Sequence, residues 1–255
     1  MTPFQQKMEN SAEKTRSKIV LALDLPPEKP DKLLSKSLSI LEKVHEHICA
    51  VKLNHHLVLP LGLFNGVQKI LDLAKDYELP TIMDCKINDI GETNRIIAQY
   101  YYMAGFDALT ANPFVGWNEG LQPAFQIAKE MEKGILLLVY MSHKDSSEGY
   151  GQTIEKGSRK GVPQYVLFAQ KAVEWMADGA VVGATYPEKI REVNSILAKR
   201  VPIYSPGVGA QGGDVETAVK AGAKYLIVGR SITLSNEPAE IAKRLRDRAN
   251  LYERK

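Results

Sequence analysis

The segment DCKINDIGETN (84–94) places Asp84, Lys86 and Asp89 at close spacing. Asp84 and Lys86 stand two apart in an apolar run, so on a strand both side chains are predicted to point to one face. In a sheet buried on both sides that face is interior, where an unpaired charge is very costly. The two must pair with each other or with neighbours, and Lys52 and Asp89 are the available partners. Such a Lys-Asp-Lys-Asp array is neutral as a whole and still holds a carboxylate and an ammonium beside a reacting carbon. Buried ion networks add little stability of their own, which favours a chemical reason for this one.

A second constellation is SPGVGAQGGD (205–214) with VGRSI (228–232). Four glycines between 207 and 213 predict a mobile loop with exposed backbone N–H groups, Gly229 permits close approach, and Arg230 supplies a guanidinium fork. Together they read as an anion clamp of the kind a phosphate occupies. The histidines are weaker signals. His143 follows an apolar run in MSH, and His55–His56 lack a carboxylate cluster at metal spacing, so no metal site is expected. His45 and His47 lie in a polar helix end and are expected to face solvent.

These groups need elements to hold them. Short apolar runs recur at Lys18–Asp24, Ile48–Leu53, Thr81–Lys86, Asp107–Ala111, Ile135–Tyr140, Gly179–Gly183, Val201–Ser205 and Lys224–Gly229. Near-continuous apolar strands are what a parallel sheet covered on both faces requires. Helical patterns separate them, among them Asn94–Ala104, with an apolar stripe at Ile96, Ile97, Tyr100 and Tyr101, Val166–Ala177, and Ala239–Tyr252. Eight βα units in about 210 residues favour a closed (β/α)8 barrel, an α/β TIM barrel, over an open doubly wound sheet. In such a barrel, catalytic groups lie at the carboxyl ends of strands. There the sequence offers Asp24, Lys52, Asp84 with Lys86, Ser142, Pro206–Gly213 and Gly229–Ser231.

The segments LALDLP (21–26), VKL (51–53), DCKINDIGETN (84–94), MSH (141–143), PGVGAQGGD (206–214) and GRSI (229–232) resemble orotidine 5'-monophosphate decarboxylase, in its shorter, monofunctional, archaeal-like form. The resemblance runs in order over roughly residues 19 to 245. It implies cofactor-independent decarboxylation of orotidine 5'-monophosphate to uridine 5'-monophosphate, the last step of de novo UMP synthesis. In that resemblance Lys86 is the general acid that protonates C6, and Asp84 is the carboxylate beside the substrate carboxylate. Lys52 orients Asp84 and touches the ribose, as does Asp24. Ser142 and Gln211 resemble pyrimidine contacts, Pro206 and Gly209 belong to the substrate-binding loop, and Gly229 and Arg230 resemble the phosphate clamp. Asp89 and Thr93 resemble residues that cross a homodimer interface into the neighbouring site. The pair His55–His56 stands outside the resemblance.

Two other functions compete. A sugar-phosphate decarboxylase or aldolase of the same superfamily would use magnesium, with an acidic residue expected near the end of the second strand, where Lys52 stands. A catalytically inactive nucleotide-binding barrel would not need Asp84, Lys86 and Asp89 together.

Composition narrows the remaining classes. A net charge of +3 on 255 residues gives no electrostatic footprint for nucleic acid. No apolar run approaches the ~20 residues of a membrane helix. The polar opening, residues 1–17, has no signal-peptide core and is expected to fray or form a short surface extension ahead of one catalytic domain at 18–255. Cys49 and Cys85 sit in apolar runs and read as buried, reduced thiols. These features predict a cytoplasmic enzyme with a small-molecule substrate. A phosphoribosyltransferase for the preceding step is expected on another chain.

Overall fold

The computed structural model describes residues 1–156 and 159–253. Eight parallel strands close into a barrel: β1 (Ile19–Ala22), β2 (Ala50–Asn54), β3 (Thr81–Ile87), β4 (Ala108–Ala111), β5 (Gly134–Tyr140), β6 (Gly179–Val182), β7 (Ile203–Pro206) and β8 (Tyr225–Val228). Strand order around the barrel follows the chain, with β8 pairing back onto β1 through Ile19↔Leu226 and Leu21↔Val228. Each of the eight apolar runs contributes one strand, and the architecture is the (β/α)8 barrel that their spacing predicts.

Period-two alternation divides the strand residues between two cores. Leu21, Val51, Met83, Leu109 and Leu137 point outward into the shell of helices. Val20, Ala50, Ile82, Ala108 and Leu136 point inward and form an apolar plug with Tyr204 and Tyr225, whose rings stack 4.7 Å apart. Gly179 makes room for this plug, because a Cβ there would lie 2.4 Å from the Tyr204 ring.

The amino-terminal segment departs from expectation. Residues Pro3–Thr15 form helix α1, with Thr2 and Gln5 making a capping box and Pro3 opening the first turn. Phe4, Met8 and Ala12 recur every four residues, so they share a face, and that face seals the amino-terminal mouth of the barrel. Gly134 admits Phe4, since a Cβ there would meet the ring at 2.5 Å. Lys7 pairs with Asp107 at 2.7 Å, the Ser11 hydroxyl donates to the Cys49 carbonyl at 2.8 Å, and Thr2 donates to Asp178. The segment is docked on the barrel floor, with Phe4, Met8 and Ala12 buried against it.

After β1 comes helix α2 (Pro30–Val44), and after β2 the helices α3 (His55–Leu61) and α4 (Val67–Asp76), joined by a π-helical turn at Gly62–Gly66. The whole run His55–Asp76 is long and apolar enough, by length and composition, to cross a membrane, which the sequence pattern did not suggest. It contains Pro60, turns at Gly62 with φ +71°, kinks at Phe64, and packs Leu57, Leu61, Ile70 and Ala74 into the shell. Helix α5 (Gly91–Met103) follows β3, and further helices follow β4 to β8 up to Pro238–Glu253. The stretch 142–161 holds a 3-10 turn at Lys144–Glu148 and an antiparallel hairpin pairing Thr153–Lys156 with Arg159–Pro163, residues 157 and 158 lying outside the described residues. His45 and His47, expected in solvent, are half-buried, His45 stacking on Tyr77 at 3.8 Å and His47 facing Arg246 at 3.0 Å. Both cysteines are free and buried, and burial pushes the Cys85 thiol up to about 12.

Candidate active site

One step up each strand from the apolar plug, the inward layer changes character. It consists of Ala22, Lys52, Asp84, Thr110, Leu138, Val181 and Ile227, the residues two positions beyond inward-facing ones on their strands. The strand periodicity that makes a plug therefore also lifts Lys52, Asp84 and Thr110 to the carboxyl mouth among apolar neighbours. A cavity of about 200 Å³ opens above it, bounded on the far side by Ser142, Pro206, Gln211, Gly229 and Arg230.

Asp84 is the hub of this layer. Its Oδ2 accepts from Lys52 Nζ at 2.6 Å, and its Oδ1 accepts from Lys86 Nζ at 2.8 Å and from the Thr110 hydroxyl at 2.9 Å. Lys52 and Asp84 are buried, while Lys86 keeps about a third of its side chain open to the cavity. Burial alone would raise the Asp84 carboxyl, but the two ammonium groups outweigh it and hold the group well below the usual carboxylate range. Burial would likewise lower Lys52, and Asp84 and Asp24 together raise it instead. Asp84 is thus ionised and Lys52 protonated at neutral pH.

The backbone that presents Lys86 is not a regular strand. Lys86 has φ +48°, and the β3–β4 pairing slips between Met83 and Ile87. A lysine in the left-handed region is strained by about 1–3 kcal/mol and persists only where its surroundings hold it. Simple alternation therefore does not explain why Asp84 and Lys86 converge; a bulge does.

At the opposite rim, Gly207, Gly209 and Gly212 have φ of +97°, +80° and +90°, conformations that favour glycine. The loop is also bonded to itself. Gly209 N–H donates to the Gly213 carbonyl at 2.8 Å, Gly213 N–H to Gly207 at 3.0 Å, and Ala210 N–H to the Ser231 hydroxyl at 3.2 Å. Arg230 is exposed and has no ion-pair partner among the described residues. Gly229 has a separate steric reason, because a Cβ would lie 2.7 Å from Asp24 Oδ2. Asp24 lines the cavity, and its Oδ1 is buried without a hydrogen-bond partner.

The structure brings together Asp24, Lys52, Asp84, Lys86, Ser142, Pro206, Gln211, Gly229 and Arg230. Gly209 shapes the loop without lining the cavity. Asp89 and Thr93 do not join their own chain's array. Asp89 is exposed, its carboxylate accepting from the Ile90 amide at 2.7 Å, and its backbone is held by Asn94, while Thr93 lies on α5. Sequence reading missed Asn54 and Thr110, both of which line the cavity. His56 Nε2 lies 3.8 Å from Asp24 Oδ1, and His55 bonds Tyr101 at 3.1 Å, lowered first by burial and then by Lys86.

Residues 17–245 match the orotidine 5'-phosphate decarboxylase / HUMPS family. Orotidine 5'-phosphate decarboxylase of Pyrococcus furiosus is 37% identical over 227 residues, covering 89% of this chain and 95% of that protein. Its counterpart in Methanococcoides burtonii is 32% identical over 235 residues, covering 92% and 98%. Among solved structures, orotidine 5'-monophosphate decarboxylase from Methanocaldococcus jannaschii, complexed with the inhibitor BMP, superposes with a TM-score of 0.78 at 28% identity, covering 92% of this chain and 99% of that one.

Proposed function

The chain belongs to the orotidine 5'-phosphate decarboxylase / HUMPS family, and we propose that it decarboxylates its substrate by charge placement alone, with Lys86 as the proton donor. It is a decarboxylase of pyrimidine biosynthesis, converting orotidine 5'-phosphate to uridine 5'-phosphate. The observation that carries the finer reading is the Asp84 carboxylate held ionised between Lys52 and Lys86 at the cavity floor.

In this reading the bond from C6 to the carboxylate breaks, carbon dioxide leaves, and the electron pair stays on C6. The Lys86 ammonium offsets that charge as it develops and then transfers its proton to C6, and water reprotonates the amine. Asp84 stands beside the departing carboxylate, so like-charge repulsion in the bound state is relieved as neutral carbon dioxide forms. Lys52 keeps Asp84 from swinging away. Arg230 clamps the 5'-phosphate with the Pro206–Gly213 loop, Asp24 Oδ1 takes a ribose hydroxyl, and Ser142 and Gln211 face the pyrimidine. Phosphate binding far from C6 supplies energy used at the reacting carbon. The magnesium-dependent sugar-phosphate alternative gains nothing from this site, where the Lys52 ammonium faces the cavity floor from the second strand.

The same reading makes the enzyme a cytoplasmic homodimer, with Asp89 and Thr93 serving the neighbouring site. The support is their position: both stand outside their own array, beside an exposed apolar face of α5.

Turnover of orotidine 5'-phosphate, followed by its absorbance loss in the presence of a chelator, tests the proposal. Wild-type protein is expected to turn over undiminished. Lys86→Ala should still bind uridine 5'-phosphate but lose at least about a thousandfold in kcat. Chelator-sensitive turnover, or a Lys86→Ala variant of near-normal rate, would overturn it.

A further inference from the structure

The bulge that aims Lys86 leaves its amide without a regular ladder partner, and a buried N–H needs an acceptor. That acceptor comes from the neighbouring strand as a side chain. Thr110 Oγ1, on β4, accepts from the Lys86 amide at 2.9 Å. The same oxygen carries one proton, and it donates that proton to Asp84 Oδ1 at 2.9 Å. An ionised carboxylate can only accept, so the direction of both bonds is fixed. Thr110 is 3% exposed, which leaves water little access to take over either bond.

We propose that Thr110 is a positioning residue for the decarboxylation, its hydroxyl stitching the strained Lys86 backbone to the carboxylate of Asp84. The inference rests on the functional reading of Asp84 and Lys86 given above. Asp84 Oδ1 receives the Lys86 ammonium and the Thr110 hydroxyl together, and Thr110 also receives the Lys86 amide, so the three residues close a ring across two strands. Both ends of Lys86, main chain and ammonium, are thereby referred to one carboxylate. Without the hydroxyl, the amide loses its acceptor, the left-handed turn loses what holds it, and Asp84 Oδ1 loses one of its two donors. The ammonium then stands at a poorer distance from C6 while the phosphate clamp is untouched.

Thr110→Val keeps the shape and removes the hydroxyl; Thr110→Ser keeps the hydroxyl and removes the methyl. Thr110→Val should lower kcat roughly 10- to 100-fold, the loss of a hydrogen bond to a charged group, with KM and affinity for uridine 5'-phosphate within about threefold of wild type. Thr110→Ser should stay within about threefold in kcat. A purely packing role predicts the reverse order, and a Val variant as fast as wild type, or a Ser variant as slow as Val, would overturn the proposal. If Thr110→Val does not fold, Thr110→Ala carries the same comparison. Amide hydrogen exchange at Lys86, read on the protein without substrate, tests the stitch apart from turnover. Exchange there should speed up at least about tenfold in the hydroxyl-free variant and not in Thr110→Ser; equal protection in all three proteins would remove it. Wild-type turnover, measured alongside, tests the underlying reading separately.

Discussion

Asp84 is buried against two ammonium groups, so its charge belongs to stability as well as to chemistry. Asp84→Asn leaves Lys52 buried beside Lys86 without the carboxylate between them, and breaking such a pair costs about 3–5 kcal/mol. Urea denaturation at pH 7 should show a loss of that size. The pH dependence has a definite sign. Because the folded carboxyl lies below its usual range, its stabilisation is complete above the unfolded value near ~4 and fades only as pH falls through the lower folded value. The gap between wild type and variant should therefore be as wide at pH 5 as at pH 7; a variant as stable as wild type would refute the coupling. At this scale the charged residues were legible, because a Lys or Asp inside an apolar run demands explanation. The geometry behind them was not. Alternation along a regular strand led to the right convergence of Asp84 and Lys86, yet Lys86 turns left-handed at a bulge. Thr110 escaped notice because a threonine within ALTA is an ordinary strand residue, and its two bonds reach back to positions 84 and 86.

Helix α1 and the barrel floor form the element whose role the sequence disguised most. Its residues are largely polar, which masked the four-residue recurrence of Phe4, Met8 and Ala12. Their burial is set by the partner surface, an open barrel end with Gly134 at the point of contact, and no local pattern reports that. The strands were easier, since burial on both faces writes itself into composition. Helix α5 lies between these cases. Its apolar stripe is half right: Ile97 and Tyr101 pack against the shell beside the buried Asn94, Ala98 and Tyr102, while Ile96 and Tyr100 point outward. Phe4→Ala tests the plug. The lost ring should cost about 3–5 kcal/mol in denaturant unfolding. Because α1 closes the mouth opposite the cavity, kcat per folded site should hold. A variant with unchanged stability would return the segment to the surface role first expected of it.

Seen as a whole molecule, a single barrel leaves an apolar face beside its own catalytic mouth. Ile96, Tyr100 and Met103 lie along α5 at four- and three-residue steps, with Phe64 edge-on to Tyr100 at 6.4 Å; Ile90 and Met103 are 70% and 60% exposed. A contiguous apolar face of this kind marks an association surface. Asp89, at its edge, is a charged member of DCKINDIGETN that its own array does not use. If the face joins two copies about a twofold axis, each Asp89 is carried to the partner's cavity and each site is built from two chains. Complementation decides the matter. Asp89→Asn and Lys86→Ala are each expected to be inactive alone. In a hybrid, the chain that keeps Lys86 meets the Asp89 of the chain that lacks it, so one of the two sites is whole. Random reassortment of an equal mixture makes about half the dimers hybrids, and activity should return to about a quarter of wild type. If Asp89 acted within its own chain, neither site of any hybrid would be complete, and hybrids verified by differential tagging would stay inactive.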